Sequence, residues 1–596
     1  MRLALTTGIL AIWAMTAGAQ QAADAHAPEA AGGAAGAVQV SDRLRPALAA
    51  KRAGRPFAVQ DWMIAAANPL AVGAGARVLT AGGTAADAMV AAQAVLGLVE
   101  PQSSGLGGGA FLVWHDAATG EVTTLDGRET APLAATPTLF QDPEGQPLDF
   151  FDAVVGGRSV GTPGTPALMQ AAHDRWGRRD WPGLFADAIR LAEDGFPASP
   201  RLASMVALDA VRLSRFDATR RHFFPGGRLL EVGQVLRNPA YADTLRRLAE
   251  GGAEAFYTGP IARDIVDIVQ GAPGNPGRLS LTDLAIYRVK ERPAVCPRYR
   301  GFEVCGMGPP SSGGLTVGQI LGMLEPFDLA GMGADSPRAW RLIGDASRLA
   351  FADRGLYMAD ADFVPVPVEG LLDTGYLRRR AQLLKGKAAL REVAPGRPEY
   401  EHAGLPGMGA AVEFPSTSHI SIVDRHGNAL SMTTTIENGF GSRLMVRGFL
   451  LNNELTDFSF ATHRDGRPIA NSVAPGKRPR SSMAPTILRR DGRPVLLLGS
   501  PGGSRIIGYV AKTIIAVVDW KMNVQEAVEL PHLVNRYGRF DLELGTRATK
   551  LAGPLQDIGF ETDARALNSG LHVIAVGPGG LRGGADPRRE GLAFGR

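Results

Sequence analysis

Apolar and polar positions alternate from Ser418 to Asp424, and the alternation resumes after a short polar turn, which is typical of two strands joined as a hairpin. A turn centred on His426-Gly427 pairs position 424 with 428 and position 420 with 432. The same register places Thr417 directly across from Thr435, within side-chain contact range at the open end of the hairpin.

The rest of the chain mixes strands and helices. Thr84 and Asp87 have the spacing of a capping box, which predicts a buried apolar helix to Val99, ended by Pro101. Residues 164–255 have mostly helical patterns, and strands return at 294–306. A strand, a glycine turn and a long apolar helix follow in "PVLLLGSPGGSRIIGYVAKTIIAVVDW". The order lacks the strict alternation of a doubly wound sheet.

Composition excludes some classes of partner. The 596 residues are 45% hydrophobic and 20% charged, enough for a sizeable core and more than one structural unit. The formal net charge is only +4, and no basic run is interleaved with aromatic residues. We therefore expect no nucleic-acid partner.

The first residues have the pattern of a secretory signal peptide, residues 1–19, with Arg2 before an apolar run and a small-residue cleavage site at Ala17-Gly18-Ala19. An uncleaved membrane anchor is the alternative. No later stretch is long and apolar enough to span a bilayer. Residues 20–45 are predicted to be a flexible segment, and the protein to be exported, either periplasmic or secreted.

The two cysteines, Cys296 and Cys305, flank "PRYRGFEV". If Arg300-Gly301 is a hairpin turn, they face each other across two strands, and a disulfide is geometrically allowed. Two reduced buried thiols are the alternative. Two cysteines without a Cys-x-x-Cys spacing do not support thiol-based or zinc-finger chemistry.

Three other patterns carry little weight. Gly157 to Gly161 matches the G-x-S-x-G hydrolase elbow, but "TPGTP" follows where a helix is required, so we predict a loop. The glycine run from Gly105 enters a strand rather than opening a helix, which argues against a dinucleotide site. The ten histidines are scattered, so no catalytic metal is expected.

Thr417 is a candidate nucleophile. A threonine hydroxyl becomes reactive when a free α-amino group on the same residue serves as its base, which requires a cut between Ser416 and Thr417. A structural cross-strand threonine pair is the alternative. Gly502 and Gly503 open a helix after a strand, so their N–H groups could bind developing negative charge, unless they form an ordinary turn.

Several longer motifs occur in the order known from one enzyme family. They are "GGTAADAMVAAQAVLGLVEPQSSGLGGGAFLV", "DGRETAP", "PPSSGG", "TSHISIVDRHGNALSMTTT", "LLNNELTDFS", "GKRPRSSMAPTI", "GSPGGSRI" and "GGADPRREG". From about Ala65 to its C-terminus the chain resembles the gamma-glutamyltransferase family of N-terminal-nucleophile hydrolases. The set is very specific for the family and less specific for the substrate.

The resemblance implies an α+β fold, an αββα four-layer sandwich, made as a proenzyme that cuts itself before Thr417. The products would be a large subunit, with residues 46–416 as its body, and a small subunit, residues 417–596, which stay associated as a heterodimer. Thr417 would carry a γ-glutamyl group from glutathione or a similar amide to water, an amino acid or a peptide. No cofactor and no metal is implied.

The resemblance also implies roles for individual residues. Thr435 would hydrogen-bond the nucleophile, and Gly502 and Gly503 would supply oxyanion N–H groups. Arg128 would hold the substrate α-carboxylate, a task that its planar guanidinium suits. The other substrate-binding residues would be Ser481 and Ser482 at the carboxylate, and Asp457 with Glu454 at the α-ammonium.

The chain departs from well-studied members at two places. Glu437 stands where those members commonly have asparagine, which puts a further carboxylate near the ammonium site. The segment between Asp457 and Ser481 is short for a substrate-covering lid and contains no tyrosine. An open site would accept larger acyl donors.

Two other functions remain open from the sequence. One is a lid-less acylase of the same fold, acting on glutaryl-type cephalosporin amides or poly-γ-glutamate. The other belongs to a different class: a non-catalytic exported binding protein, which would stay uncut and bind its ligand without turnover.

Overall fold

A computed structural model of the protein describes residues 40–401, 404–409, 413 and 416–596. The predicted signal peptide and most of the predicted flexible segment lie outside the described residues. Ordered structure begins before the predicted boundary at residue 46, since a helical turn covers Asp42–Leu44 and buries Leu44. None of the described helices is both long and apolar enough to cross a membrane.

Two seven-stranded sheets form the centre of the molecule. The sheet that contains the predicted hairpin has the strand order Leu592–Gly595, Met63–Ala66, Ser418–Val423, Ala429–Thr435, Gly109–His115, Val122–Gly127 and Lys290–Pro293. The second sheet has the order Phe57–Val59, Gly580–Ala585, His572–Gly577, Arg493–Gly499, Thr486–Arg490, Phe302–Gly306 and Arg298–Tyr299.

Helices occur in two groups along the chain. The first group is Arg45–Arg52, Pro69–Thr80, Ala85–Val99, Phe150–Val154, Thr165–Trp176, Ala186–Asp194, Pro200–Leu208, Ala210–Leu213, Asp217–Phe223, Pro239–Gly251, Glu254–Tyr257, Gly259–Gln270 and Leu281–Ile286. The second group is Gly313–Leu324, Leu329–Met332, Pro337–Tyr357, Val368–Leu372, Thr374–Gln382, Ile506–Val518, Val524–Glu529 and Ala552–Ile558.

The three largest parts of the hydrophobic core lie on different faces of the two sheets, because alternate residues of a strand face opposite sides of a sheet. Ile420 and Ile422 pack with the first group of helices. Val423 packs between the sheets with residues such as Leu497 of the second sheet. The outer face of the second sheet packs with the second group of helices. The layers are therefore helix, sheet, sheet, helix, which confirms the predicted α+β sandwich.

Several local predictions are confirmed. Thr84 and Asp87 form the capping box of helix Ala85–Val99. In the hairpin, Ile420 pairs with Met432 and Val423 with Ala429, the predicted register. Asp424 closes the turn by accepting hydrogen bonds from the N–H groups of His426, at 2.9 Å, and Asn428, at 3.0 Å.

The two glycine motifs that were set aside are structural. Ser159 is buried in a loop, where its hydroxyl donates to Val154 O at 2.6 Å. The glycine run enters strand Gly109–His115 and lies against the hairpin so closely that a Cβ on Gly108 would stand 1.9 Å from Thr435 O. Glycine is needed there because no side chain fits.

The two cysteines form a disulfide across a hairpin, the first of the two alternatives left open by the sequence. Arg300 and Gly301 form the turn between strands Arg298–Tyr299 and Phe302–Gly306, with φ values of +49° and +79°. Cys296 and Cys305 are joined in a disulfide.

Candidate active site

Most of the predicted site residues line one cavity. Its lining includes ten of them: Arg128, Ser416, Thr417, Thr435, Glu437, Glu454, Asp457, Ser481, Ser482 and Gly503. Glu413, Met483 and Ile506 complete the lining. Gly502 is not part of it and lies one residue before Gly503 in the turn.

The hairpin brings the two threonine hydroxyls together in the buried cavity. Thr417 Oγ1 lies 3.3 Å from Thr435 Oγ1, and it donates a short hydrogen bond to the carbonyl oxygen of Ser416. Thr435 Oγ1 lies 3.4 Å from the same carbonyl oxygen and accepts a hydrogen bond from Glu437 N at 2.9 Å. Both hydroxyls therefore contact the peptide group that would have to be cut.

The glycine turn lies at the end of a strand and the beginning of an apolar helix. Strand Arg493–Gly499 leads into Gly502, with φ +138°, and Gly503, with φ +55°, before helix Ile506–Val518. Helix N-termini carry partial positive charge and unpaired N–H groups. This end of the cavity suits a developing oxyanion.

Arg128 is fully buried and paired with acidic side chains. Its Nη1 contacts Glu454 and its Nη2 lies 2.5 Å from Asp457 Oδ2. The same guanidinium donates to Pro479 O at 3.1 Å and to Arg480 O at 3.0 Å. In the uncut chain, the proposed carboxylate and ammonium ligands thus neutralise each other.

The acidic groups around Arg128 have perturbed pKa values. Burial raises the pKa of Asp457 well above its ordinary value, although the Arg128 guanidinium opposes the shift. Burial likewise raises the pKa of Glu454 against the effect of Arg128. Glu129 is the third carboxyl group there, and burial together with Glu454 raises its pKa. Strongly perturbed carboxyl groups in a cavity are typical of functional sites.

Glu437 follows the hairpin in a left-handed backbone conformation, with φ +74°. Its carboxylate accepts a hydrogen bond from Asn453 Nδ2 at 2.5 Å. Non-glycine residues with such φ values are uncommon and are concentrated at functional sites. Glu437 and Asp457 both line the cavity, and a role of Glu437 at the ammonium site stays a prediction.

The two serines are already engaged. Ser481 Oγ accepts from Met483 N at 3.1 Å. Ser482 Oγ accepts from Arg354 Nη2 at 2.7 Å and donates to Glu413. Any carboxylate that enters beside Ser482 must replace this contact with Glu413.

Four charged residues around the cavity were not predicted from the sequence: Glu129, Arg354, Glu413 and Arg480. Glu129 follows Arg128 in the motif "DGRETAP", and Arg480 precedes Ser481 in "GKRPRSSMAPTI". Their adjacency to predicted site residues is the sequence signal that could have identified them. Arg354 lies in helix Pro337–Tyr357, and no local pattern connects it with Thr417. Among the described residues, no cluster of histidine, cysteine or carboxylate side chains could hold a metal ion.

Comparisons with known proteins identify the family of this chain. The family model "Gamma-glutamyltranspeptidase" matches residues 71–595. A glutathione hydrolase proenzyme of Bacillus subtilis strain 168 is 37% identical over 549 residues, 90% of this chain and 92% of that protein. The Escherichia coli K12 glutathione hydrolase proenzyme is 34% identical over 550 residues, covering 89% and 91%.

A solved structure extends the similarity to an enzyme with another described activity. The crystal structure of cephalosporin acylase from Bacillus halodurans matches with a TM-score of 0.79 and 27% sequence identity, over 91% of this chain and 96% of that chain. Sequence and fold therefore agree over almost the whole length, and the chain belongs to the gamma-glutamyltranspeptidase family.

Proposed function

We propose that the protein is a self-processing γ-glutamyltransferase and glutathione hydrolase whose nucleophile is Thr417. The observation that carries the proposal is the contact of Thr417 Oγ1 with both Thr435 Oγ1 and the Ser416 carbonyl oxygen. Residues 417–596 form the small subunit and the residues before the cut form the large one. The predicted signal peptide supports export.

Self-cleavage begins with attack of Thr417 Oγ on the Ser416 carbonyl carbon. The new C–O ester bond forms as the C–N bond breaks, and the hydroxyl proton passes to the departing Thr417 nitrogen. Water then hydrolyses the ester, which leaves a carboxylate on Ser416 and a free α-amine on Thr417. The second hydroxyl, that of Thr435, lies within 3.4 Å of the Ser416 carbonyl oxygen and can donate to it.

The Thr417 hydroxyl oxygen that attacks the chain in self-cleavage is also the nucleophile in turnover. The free α-amine accepts the Thr417 hydroxyl proton as Oγ attacks the γ-carbonyl carbon of the donor. The N–H groups of Gly502 and Gly503 stabilise the oxyanion. The departing amine takes the proton, and water or an acceptor amine releases the acyl group from Thr417.

The two charged groups of the donor, its α-ammonium and its α-carboxylate, each find complementary side chains in the cavity. Asp457, Glu454 and Glu437 receive the α-ammonium, and Arg128 with Ser481 and Ser482 faces the α-carboxylate. Donor binding must then replace part of the Arg128 pairing with Asp457 and Glu454. This chemistry needs a hydroxyl and an amine of one threonine, and no cofactor.

The first test is the state of the purified mature protein. Intact mass and N-terminal sequencing should give two fragments for the wild type, the smaller beginning Thr-Ser-His-Ile, and one uncut chain for Thr417→Ala. Thr434→Ala is the matched control, because the Thr434 hydroxyl has no hydrogen-bond partner among the described residues of the same hairpin. A folded, intact wild-type chain would remove the required amine and favour a non-catalytic binding protein.

The similarity to a cephalosporin acylase supports a second candidate activity at the same nucleophile. Glutaryl amides have the carboxylate of a γ-glutamyl donor but lack its α-ammonium. Comparison of kcat/KM for matched γ-glutamyl and glutaryl anilides decides between the activities. A preference for the glutaryl donor would show that the Asp457 end of the cavity does not serve an ammonium.

A further inference from the structure

Glu413 reaches the catalytic cavity from the chain segment just before the proposed cut. It is 5% exposed and lines the cavity together with Thr417. Arg354 Nη2 donates to one of its carboxylate oxygens and Ser482 Oγ to the other, both in short hydrogen bonds. A carboxylate is therefore already bound in the cavity of the uncut chain.

One guanidinium group, that of Arg354, binds this carboxylate directly, and a second, that of Arg480, lies next to Arg354. Arg354 also holds Ser482 Oγ, at 2.7 Å, and Ser312 Oγ, at 2.8 Å, so its position is fixed from several sides. Arg480 is 2% exposed and donates to Arg354 O at 3.2 Å. Within the described part of the chain, Arg480 forms no ion pair, and its buried Nε has no hydrogen-bond partner.

The charge balance of this group depends on Glu413. Burial alone would raise the pKa of Glu413, but Arg354, Arg480 and the Ser482 hydroxyl outweigh burial and hold the pKa below its ordinary value. Burial, followed by the nearby Arg354, lowers the pKa of Arg480 to about 10. If Glu413 left, the buried Arg354 would lose its ion pair, and Arg480 would keep only Asp457 of its two nearby carboxylates, which is unfavourable unless another anion binds.

The chemistry of self-cleavage relates Glu413 to the substrate. During self-cleavage the acyl group on Thr417 Oγ is the chain segment that ends at Ser416, whereas during turnover it is the acyl part of the donor. In each case a carbonyl carbon becomes bonded to Thr417 Oγ, so the two acyl groups place their carbonyl carbons at the same position. Only about 20 Å³ remains free in the cavity of the uncut chain, room for about one water molecule. Glu413 and Ser416 thus occupy part of the space that a donor needs.

We propose that Arg354 and Arg480, together with Ser482, form a binding site for the carboxylate on the acyl part of the donor, and that Glu413 fills this site until the chain is cut. The inference rests on the proposed function and deepens it by adding two specificity-determining residues. Arg128 approaches the same segment from the other side, because its Nη2 donates to Arg480 O. The ligand class is an acyl group with a carboxylate, such as glutamyl or glutaryl.

The first experiment uses uncut chains, so that it does not depend on turnover. Calorimetry with L-glutamate and with glutarate compares Thr417→Ala with the double variant Thr417→Ala/Glu413→Ala. The single variant should bind neither ligand, and the double variant should bind both. Adding Arg480→Leu to the double variant should weaken binding about tenfold or more, as expected for the loss of a buried charged donor. A double variant that binds no better than the single variant would overturn the proposal.

The second experiment uses the mature enzyme, in case the Glu413 variant folds poorly. Donors are a γ-glutamyl anilide and its analogue with a carboxamide in place of the α-carboxylate. Arg480→Leu should raise KM for the carboxylate donor about tenfold with little change in kcat, and leave KM for the carboxamide unchanged. Arg480→Lys should restore part of the loss.

The outcomes separate this inference from the proposed function. Equal losses on the two donors would show that Arg480 is only structural and would reject the carboxylate site. A wild-type enzyme that turns over neither donor would reject the proposed function, while the calorimetry with uncut chains would still decide whether the anion site exists.

Discussion

At the scale of single residues, buried carboxyl groups make ligand binding and stability depend on pH. In the cavity, burial raises the pKa of Asp457 and Glu454, and Arg128 only partly compensates. An α-ammonium beside them favours their ionised forms and lowers these pKa values. Donor binding is therefore coupled to release of protons from the site.

Glu100 lies away from the cavity, and its raised pKa makes the stability of the protein depend on pH. It is 1% exposed and follows helix Ala85–Val99. Burial raises its pKa from 4.5 to about 7, with the Arg201 guanidinium opposing the shift. Between these two values the unfolded chain loses the proton and the folded chain keeps it. Stability contributed by this group is present below pH 4.5 and is lost as the pH rises towards 7.

We expect Glu100→Gln to remove this pH dependence, since the amide stays neutral. In the uncut Thr417→Ala background, the variant should gain about 3 kcal/mol in free energy of unfolding, relative to its parent, between pH 4.5 and pH 8. Urea titrations at the two pH values measure the difference. The exposed Glu121→Gln is the control, and a parallel pH profile of parent and Glu100→Gln would contradict the prediction.

At the same scale, sequence could predict Thr417 and Thr435 because both lie on one hairpin, where pairing follows from counting. It could not predict the pairing of Arg128 with Asp457 and Glu454, nor that of Arg354 with Glu413. These contacts join segments more than 50 residues apart, and the distances between such segments depend on the packing of both sheets.

Among the elements, the turn between strand Arg493–Gly499 and helix Ile506–Val518 is tightly constrained. Gly502 has φ +138°, and a Cβ there would lie 2.7 Å from the Tyr509 ring. A side chain at this position must displace the turn or the first turn of the helix. The position of the Gly503 N–H relative to Thr417 depends on the same turn.

Gly502→Ala should therefore lower kcat by about 10²-fold, the effect of losing one oxyanion donor, with a smaller change in KM. Steady-state kinetics of the mature variant with a γ-glutamyl anilide measures it. Gly577→Ala is the matched control, because its Cβ would meet nothing within 4 Å. Equal kcat values for Gly502→Ala and the wild type would exclude the turn from oxyanion stabilisation.

Elements with their own local signals were predictable. The capping box at Thr84, the hairpin at His426-Gly427 and the strand, glycine turn and helix around Gly502 each occupy a few neighbouring residues. The order of strands in the sheets had no such signal and was not predicted, because the family resemblance implied only the four-layer sandwich. Strands Met63–Ala66 and Ser418–Val423 are neighbours, although more than 350 residues separate them.

In the whole molecule, the proposed cut divides both sheets between two chains. Strand Met63–Ala66 of the large subunit lies between Ser418–Val423 and Leu592–Gly595 of the small one. Ala429–Thr435 in turn pairs with Gly109–His115. Each piece alone would expose unpaired strand edges and the apolar faces of both sheets.

The two subunits should stay together without a covalent bond. Size-exclusion chromatography at nanomolar concentration should give one peak, and a reducing agent should not split it, because Cys296 and Cys305 both precede the cut. Subunits separated in denaturant and refolded apart should show no activity when mixed. Recovery of full activity would contradict the interdependence of the two pieces.

The ladder between Met63–Ala66 and Leu592–Gly595 has a consequence for engineering. Arg596 O accepts from Trp62 N at 3.2 Å, and the Arg43 guanidinium lies 5.5 Å from the centre of the Phe594 ring, so the two ends of the described chain are neighbours. A short linker between them would allow a circular permutant whose gene starts at Thr417. After removal of the initiator methionine, that polypeptide would begin with the free α-amine of Thr417 and would need no self-cleavage.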